Sequence, residues 1–327
     1  MDMIKTIFYV MALVASASCA DAVERPSYPC HRLAQSPVID GKVNDAAWQN
    51  MPEAIGFYIY RGAGEYAVEK QTSFKAGWTE EALYLAVRAE EPNPEKLRTT
   101  GTVLWQDDSM ELMLFPSGAP TYTQLLVNSR GDRSGGRPAR EYKLAMTDWE
   151  AAVSVGKTEW ALEMRVPFKI LMGDPVKEGD EWAVNVGRYI FTGPPEERVT
   201  CWPFLEKGFH DVPNFGKFVF KGNIGDDVHA AEKEINRVYT RHMADKIKKL
   251  AGAAEQYKKN LAEIKTAGSE GEEVENLLRV WDRAVKMAAE PEPDVRDLIL
   301  LSRDCVKLQR RSKECVARVK LEVLLAD

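Results

Sequence analysis

Histidine is scarce in this chain of 327 residues: His31, His210, His229 and His242 stand alone, and none forms a His-Glu-x-x-His pair or shares a zinc spacing with cysteine. Also missing are a Gly-x-Ser-x-Gly elbow, a phosphate-binding glycine loop and a Gly-x-Gly-x-x-Gly fingerprint, which excludes the commonest hydrolase, nucleotide and dinucleotide chemistries. An excess of positive charge is lacking too. Lys and Arg number 44 against 50 Asp and Glu, a net charge of −6, the wrong balance for gripping nucleic acid by its phosphates. No apolar run reaches the roughly 20 residues that a transmembrane helix needs. With 45% hydrophobic and 29% charged residues, the composition is that of a folded globular chain long enough for two domains.

The longest apolar run near the start, Ile7 to Ala15, follows Lys5 and leads into the small residues Ser16-Ala-Ser-Cys-Ala20. That order predicts a secretory signal peptide over residues 1–22 and an exported, secreted or periplasmic protein. Cys19 invites lipid anchoring as the alternative, although Ser16 stands where a large aliphatic residue is usual. Cysteine is sparse beyond it: Cys30, Cys201, Cys305 and Cys315. The last two lie ten residues apart on one expected helix, about 15 Å, too far for a bridge between them. They read as small buried hydrophobes or as an intermolecular bridge. A Cys30–Cys201 disulfide is left open.

Two hydrophobic periods divide the rest. From Pro37 to Phe220 period two prevails, with strand-sized runs at Phe57–Tyr60, Ala82–Ala89, Asp108–Phe115, Tyr122–Asn128, Ala151–Val155, Trp160–Val166, Trp182–Phe191 and Gly216–Phe220, separated by Gly and Pro breakers. Such a series predicts an antiparallel, jelly-roll-like β-sandwich over residues 30–221. From Asp226 to Asp327 the period becomes helical. Met243, Ile247, Leu250, Ala254, Tyr257, Leu261 and Ile264 form one seam, Val274, Leu278, Trp281, Val285 and Ala288 a second, and Leu298, Leu301, Cys305, Leu308, Ser312, Cys315 and Val319 a third. Heptad seams predict a coiled-coil-like hairpin or three-helix bundle over residues 226–327. Its two readings are a packed accessory bundle and a spacer or homodimerisation element.

Within the strand from Asp108, Met110, Leu112 and Leu114 alternate with Ser109, Glu111 and Met113, so the first set is expected in the core and Glu111 on the other face. Tyr122, Gln124 and Asn128 share a face of the next strand. Trp105 precedes the first strand, and Trp202 follows a later one in Cys201-Trp-Pro-Phe204. Aromatic rings flanking Glu, Gln and Asn are what sugar recognition requires, because rings cover sugar C–H faces while planar polar groups meet the hydroxyls. Ordinary core or rim tryptophans are the competing reading. An enzyme reading takes Asp107, Asp108 and Glu111 as a glycosidase-like carboxylate cluster. Arg130-Gly-Asp132 matches an adhesion tripeptide but lies in a Gly- and Arg-rich stretch that reads as a loop.

Val38-Ile-Asp-Gly-Lys-Val-Asn-Asp-Ala-Ala-Trp48 resembles the opening of family 9 carbohydrate-binding modules. Gly77–Val87, Trp105–Leu112, Leu126–Gly131, Trp160–Phe168 and Gly208–Lys217 are similar to successive blocks of the same family, in order, over about residues 37–220. The resemblance implies a β-sandwich in the wider group of DOMON-like domains, often with structural calcium, that binds an oligo- or polysaccharide without catalysis, in some members at the reducing end between two tryptophans. It makes Trp105 and Trp202 the clamp and Glu111 the main polar anchor, with Asn128 a weaker match, and leaves the calcium ligands unplaced. Haem binding in related sandwiches needs axial Met or His ligands that cannot be placed here. Members also accompany glycoside hydrolases, so a hydrolase-associated enzyme and a cell-envelope interaction module with a degenerate pocket stand as alternatives.

Overall fold

The computed structural model describes residues 24–61, 68–137, 143–145, 147–205, 207–225, 227–263, 269–305 and 314. The expected leader, Cys19, Cys315 and the seam positions after Cys305 lie outside the described residues. The strands are β1 (Ser27–Arg32), β2 (Ala54–Ile55), β3 (Tyr58–Ile59), β4 (Thr72–Trp78), β5 (Ala82–Glu90), β6 (Ser109–Phe115), β7 (Thr123–Asn128), β8 (Arg133–Gly136), β9 (Glu150–Val155), β10 (Glu159–Pro167), β11 (Glu181–Tyr189), β12 (Val199–Cys201) and β13 (Gly216–Asn223). A single turn of helix, α1 (Ala46–Gln49), precedes β2, and α2 (Val228–Glu263) and α3 (Ser269–Ala288) follow β13. A last helix, α4, is described over residues 295–305.

Ten strands form one hydrogen-bonded path in the order β8-β7-β6-β11-β13-β1-β4-β5-β10-β9. Their inner faces close on one core containing Met110, Leu112 and Leu114 of β6, Val184 and Val186 of β11, Phe218 and Phe220 of β13, Leu83, Leu85 and Val87 of β5 and Leu162 of β10. The mainly antiparallel expectation holds except at the centre. There β1 runs parallel to both neighbours, pairing Tyr28 with Phe218 on one side and His31 with Gly77 on the other. It arrives from the N-terminus rather than through a hairpin, so no turn obliges it to reverse. Arg188, fully buried on β11, reaches the carbonyls of Lys70, Gln71 and Glu90, fastening β11 to the ends of β4 and β5.

The helices do not stand apart as a separate bundle. Asp227 Oδ1 caps α2 by accepting from Ala230 N, and Ile235 enters the sandwich core. The next residue, Asn236, accepts from Ile55 N and donates to the Glu53 carbonyl. Tyr239, Met243 and Ile247 then bury Ile55 and Tyr58 together with Trp281, Ala284, Leu298, Leu301 and Cys305. The seams are legible in this cluster with one correction: Val285 is 37% exposed and Ala284 takes the inner place, because α3 turns its 281/284 face inward. The helical segment thus shares its core with β2 and β3 of the sandwich.

Candidate functional site

The first and fifth motif blocks meet at one buried carboxylate. Glu163 Oε1 accepts from Trp48 Nε1 at 2.8 Å, and its Oε2 accepts from Gly41 N at 2.8 Å and Asp40 N at 3.1 Å. Gly41 has φ +81°, and a Cβ there would lie 2.6 Å from the Val153 carbonyl carbon, so only glycine lets this turn press on β9. The Ile-Asp-Gly and Asp-x-x-Trp pattern is therefore a structural knot.

Two of the acids in the carboxylate cluster serve the fold as well. Asp107 accepts from Thr100 N and Oγ1, Gly101 N and Asn128 Nδ2. Burial alone would raise its carboxyl, but these donors hold it below the ordinary value. Asp108 accepts from Arg98 N and Phe191 N, and its burial prevails and pushes its pKa up. The oxygens of both are engaged by donors of the fold, so neither stands beside Glu111 as a free glycosidase-like partner. Asn128 is engaged by the fold likewise. Its Nδ2 donates to Asp107 and Asp132 while its Oδ1 accepts from Arg130 N and Asp132 N, which uses its full hydrogen-bonding capacity on the turn that contains Arg130-Gly-Asp132.

Trp202 moves from the clamp to the core. It is 2% exposed, with its ring edge-on to Phe74 at 5.1 Å and tilted against Phe218 at 6.4 Å. Its backbone N–H bonds to the Val186 carbonyl, which points the side chain to the inner face. A pair of tryptophan walls does not form in this arrangement. The two candidate bridge partners are separated in the same way: Cys30 lies in the main core and Cys201 in the cluster on the opposite face. Both are free buried thiols, pushed well above their ordinary pKa by burial.

The outer face of β6, β7 and β11 carries Glu111 and Gln124, with Tyr122 at its edge. Glu111 stands there between Leu126 and Gly187 in register. Its Oε1 accepts from Gln124 Nε2, and its Oε2 has no hydrogen-bond partner among the described residues. Burial raises its pKa to about 7, against the pull of the Tyr189 hydroxyl and the Gln124 amide. Tyr122, at the edge of this face, shares a 2.7 Å hydrogen bond with His210 Nδ1, their rings stacked 5.8 Å apart. Desolvation lowers the pKa of His210. Trp105 sits on the 3₁₀ turn Leu104–Gln106 just before β6. Ser109 Oγ ties that turn down through the Leu104 carbonyl, on the same face as Glu111 and two residues from it, while Trp105 itself is 53% exposed.

Tyr189 and Phe209 belong to this face and were not among the expected residues. Tyr189 could have been found by continuing the alternation of β11, where Trp182, Val184 and Val186 point inward. Phe209 sits in a loop with no period to read. A Cβ on Gly187 would come within 2.5 Å of Phe209 Cζ, so the ring lies directly over that glycine. Phe209 also packs edge-on against Tyr60 and tilted against Tyr189. As for calcium, no three His, Cys, Asp or Glu side chains converge on one position among the described residues.

The model of a family described as "Carbohydrate family 9 binding domain-like" matches residues 39–222. Among solved structures, a family 9 carbohydrate-binding module from Caldicellulosiruptor kristjanssonii in complex with cellotriose is similar at 19% identity and a TM-score of 0.47, covering 62% of this chain and 96% of that one. The same module with glucose gives 18% and 0.47, covering 61% and 98%. A chain from Bacteroides uniformis ATCC 8492, described as a "putative carbohydrate-binding protein", shares the fold at 15% identity and a TM-score of 0.50, covering 61% of this chain and all of that one. No curated protein matches.

Proposed function

The chain belongs to the carbohydrate family 9 binding domain-like family, and from that premise we propose that the outer face of β6, β7 and β11 holds a sugar. One ring face would rest on exposed Trp105, with hydroxyl edges turned to Glu111, Gln124 and the Tyr122–His210 pair. The observation that supports this reading is an exposed indole on the turn that Ser109 ties to β6, six residues before a buried carboxylate one of whose oxygens forms no hydrogen bond among the described residues. Saturated hydrogen bonding would have left nothing there for a ligand.

The test is a calorimetric titration of the full chain with glucose, cellotriose and end-reduced cellotriose. Binding of cellotriose that disappears on reduction of its end would assign the site to the reducing terminus, and equal binding of both would assign it to ring faces in general. A chelator arm tests the calcium that the resemblance implies. Export through the N-terminal leader and pairing of two copies through the C-terminal helices complete the proposal, read from the mass of the mature protein and from light scattering. The burial of Trp202 favours one rival, an envelope interaction module with a degenerate pocket, and silence across the titration would select it.

A further inference from the structure

Two oxygens buried on the outer face, Glu111 Oε2 and Asn185 Oδ1, form no hydrogen bond among the described residues, although the Tyr189 hydroxyl acts on the Glu111 carboxyl. Each side chain is 1% exposed. An acceptor removed from water without a donor is unfavourable, and here two such groups sit on adjacent strands. β6 and β11 pair Glu111 with Gly187 and Met113 with Asn185, so Glu111 and Asn185 are diagonal neighbours on one face. Between them Gly187 carries no side chain, and the tip of the Phe209 ring fills that place. A hydrocarbon ring can donate to neither oxygen. Phe209 is held at this point by Asn185 Nδ2 through its own carbonyl, over a long 3.4 Å, and by the rings of Tyr60 and Tyr189.

We propose that Phe209 is a displaceable plug, and that Glu111 Oε2 and Asn185 Oδ1 together receive two hydroxyl donors of a sugar when it withdraws. The inference rests on the reading of this face as a sugar site and adds Asn185 as the residue that selects for a hydroxyl at one ring position. Two acceptors side by side demand a ligand that supplies both protons, which suits a polyol or sugar ring and rejects an anion.

The experiment uses the full chain, with calorimetry on glucose and its monodeoxy derivatives and a thermal melt of each variant. Asn185→Leu replaces the orphan acceptor with an apolar group of similar size. It is expected to weaken binding about tenfold while Tm holds or rises, the behaviour of a removed unsatisfied group. Of the hydroxyls whose loss weakens the parent, the one received by Asn185 should make no difference to this variant. Phe209→Ala should tighten binding several-fold. Unchanged affinity in folded Asn185→Leu, with or without a lower Tm, would make Asn185 a loop anchor and overturn the inference while leaving the sugar site standing. Weaker binding by Phe209→Ala would make the ring a wall instead of a plug and overturn it too. Failure of the parent chain to bind overturns the underlying reading, and this inference with it.

Discussion

Trp48 donates its indole N–H to Glu163 Oε1 at 2.8 Å across 115 residues of chain. With the backbone N–H groups of Asp40 and Gly41 on the other oxygen, one buried carboxylate binds the entry turn to β10. Hydrogen bonds to a buried charge are worth about 1.5–3 kcal/mol each, and orphaned donors add their own cost. Glu163→Ala should therefore lose about 3 kcal/mol or more in urea unfolding, and Glu163→Gln less. A loss within experimental error of zero would refute the knot.

Asn128 separates a structural from a binding role. Asn128→Ala leaves Asp107 and the 128–132 turn without four hydrogen bonds, an expected cost of about 2–3 kcal/mol. Its sugar affinity should match the parent at a temperature where both are folded. Loss of affinity with full stability would return Asn128 to the site.

Gly56 fixes the seat of α2. It has φ +91°, and a Cβ there would meet the Tyr239 ring at 2.4 Å. Gly56→Ala combines backbone strain with a clash against a buried ring, so a loss of about 2–4 kcal/mol is expected. Tyr239→Ala should relieve part of it in a double-mutant cycle, as it must if the two residues are coupled. Strict additivity would show that the ring is not the obstacle.

Glu111 gives stability and binding opposite slopes in pH. Its folded pKa of about 7 lies above the ordinary 4.5, so the folded state holds the proton more tightly. The stability this contributes is complete below pH 4.5 and is lost as pH rises to about 7, an effect of about 3 kcal/mol. A sugar that donates to the carboxylate prefers its charged form, so affinity should rise over the same interval. Glu111→Gln should flatten both curves. A binding curve that falls between pH 5 and 8 would contradict the assignment.

Much of the sandwich is legible because alternation leaves a strong mark where one face is buried: Met110, Leu112 and Leu114 point inward as the period requires. The strand β1 is not, since Ser27–Arg32 contains a proline and its pattern is broken by its partly buried ends. Its place comes from the parallel pairing with β13, where Tyr28 meets Phe218 far along the sequence. Glu111 and Gln124 were readable as outward polar residues on neighbouring strands. Trp202 was not, because no period governs the loop after β12, and only the bond from its N–H to Val186 turns the ring inward. Asn128 looked like a ligand-facing amide because sequence does not show that a turn has already used all its hydrogen bonds.

The central claim is that Trp105 on its exposed turn is the aromatic wall of a sugar site whose polar floor is Glu111. Calorimetric titration of cellotriose into the parent and into Trp105→Ala, each with a thermal melt, tests it most directly. The expected result is saturable binding by the parent and a loss of about 1–3 kcal/mol or more of binding energy in Trp105→Ala, with Tm unchanged because the ring is largely exposed. Equal affinity in the two proteins, or no binding by either, would contradict it.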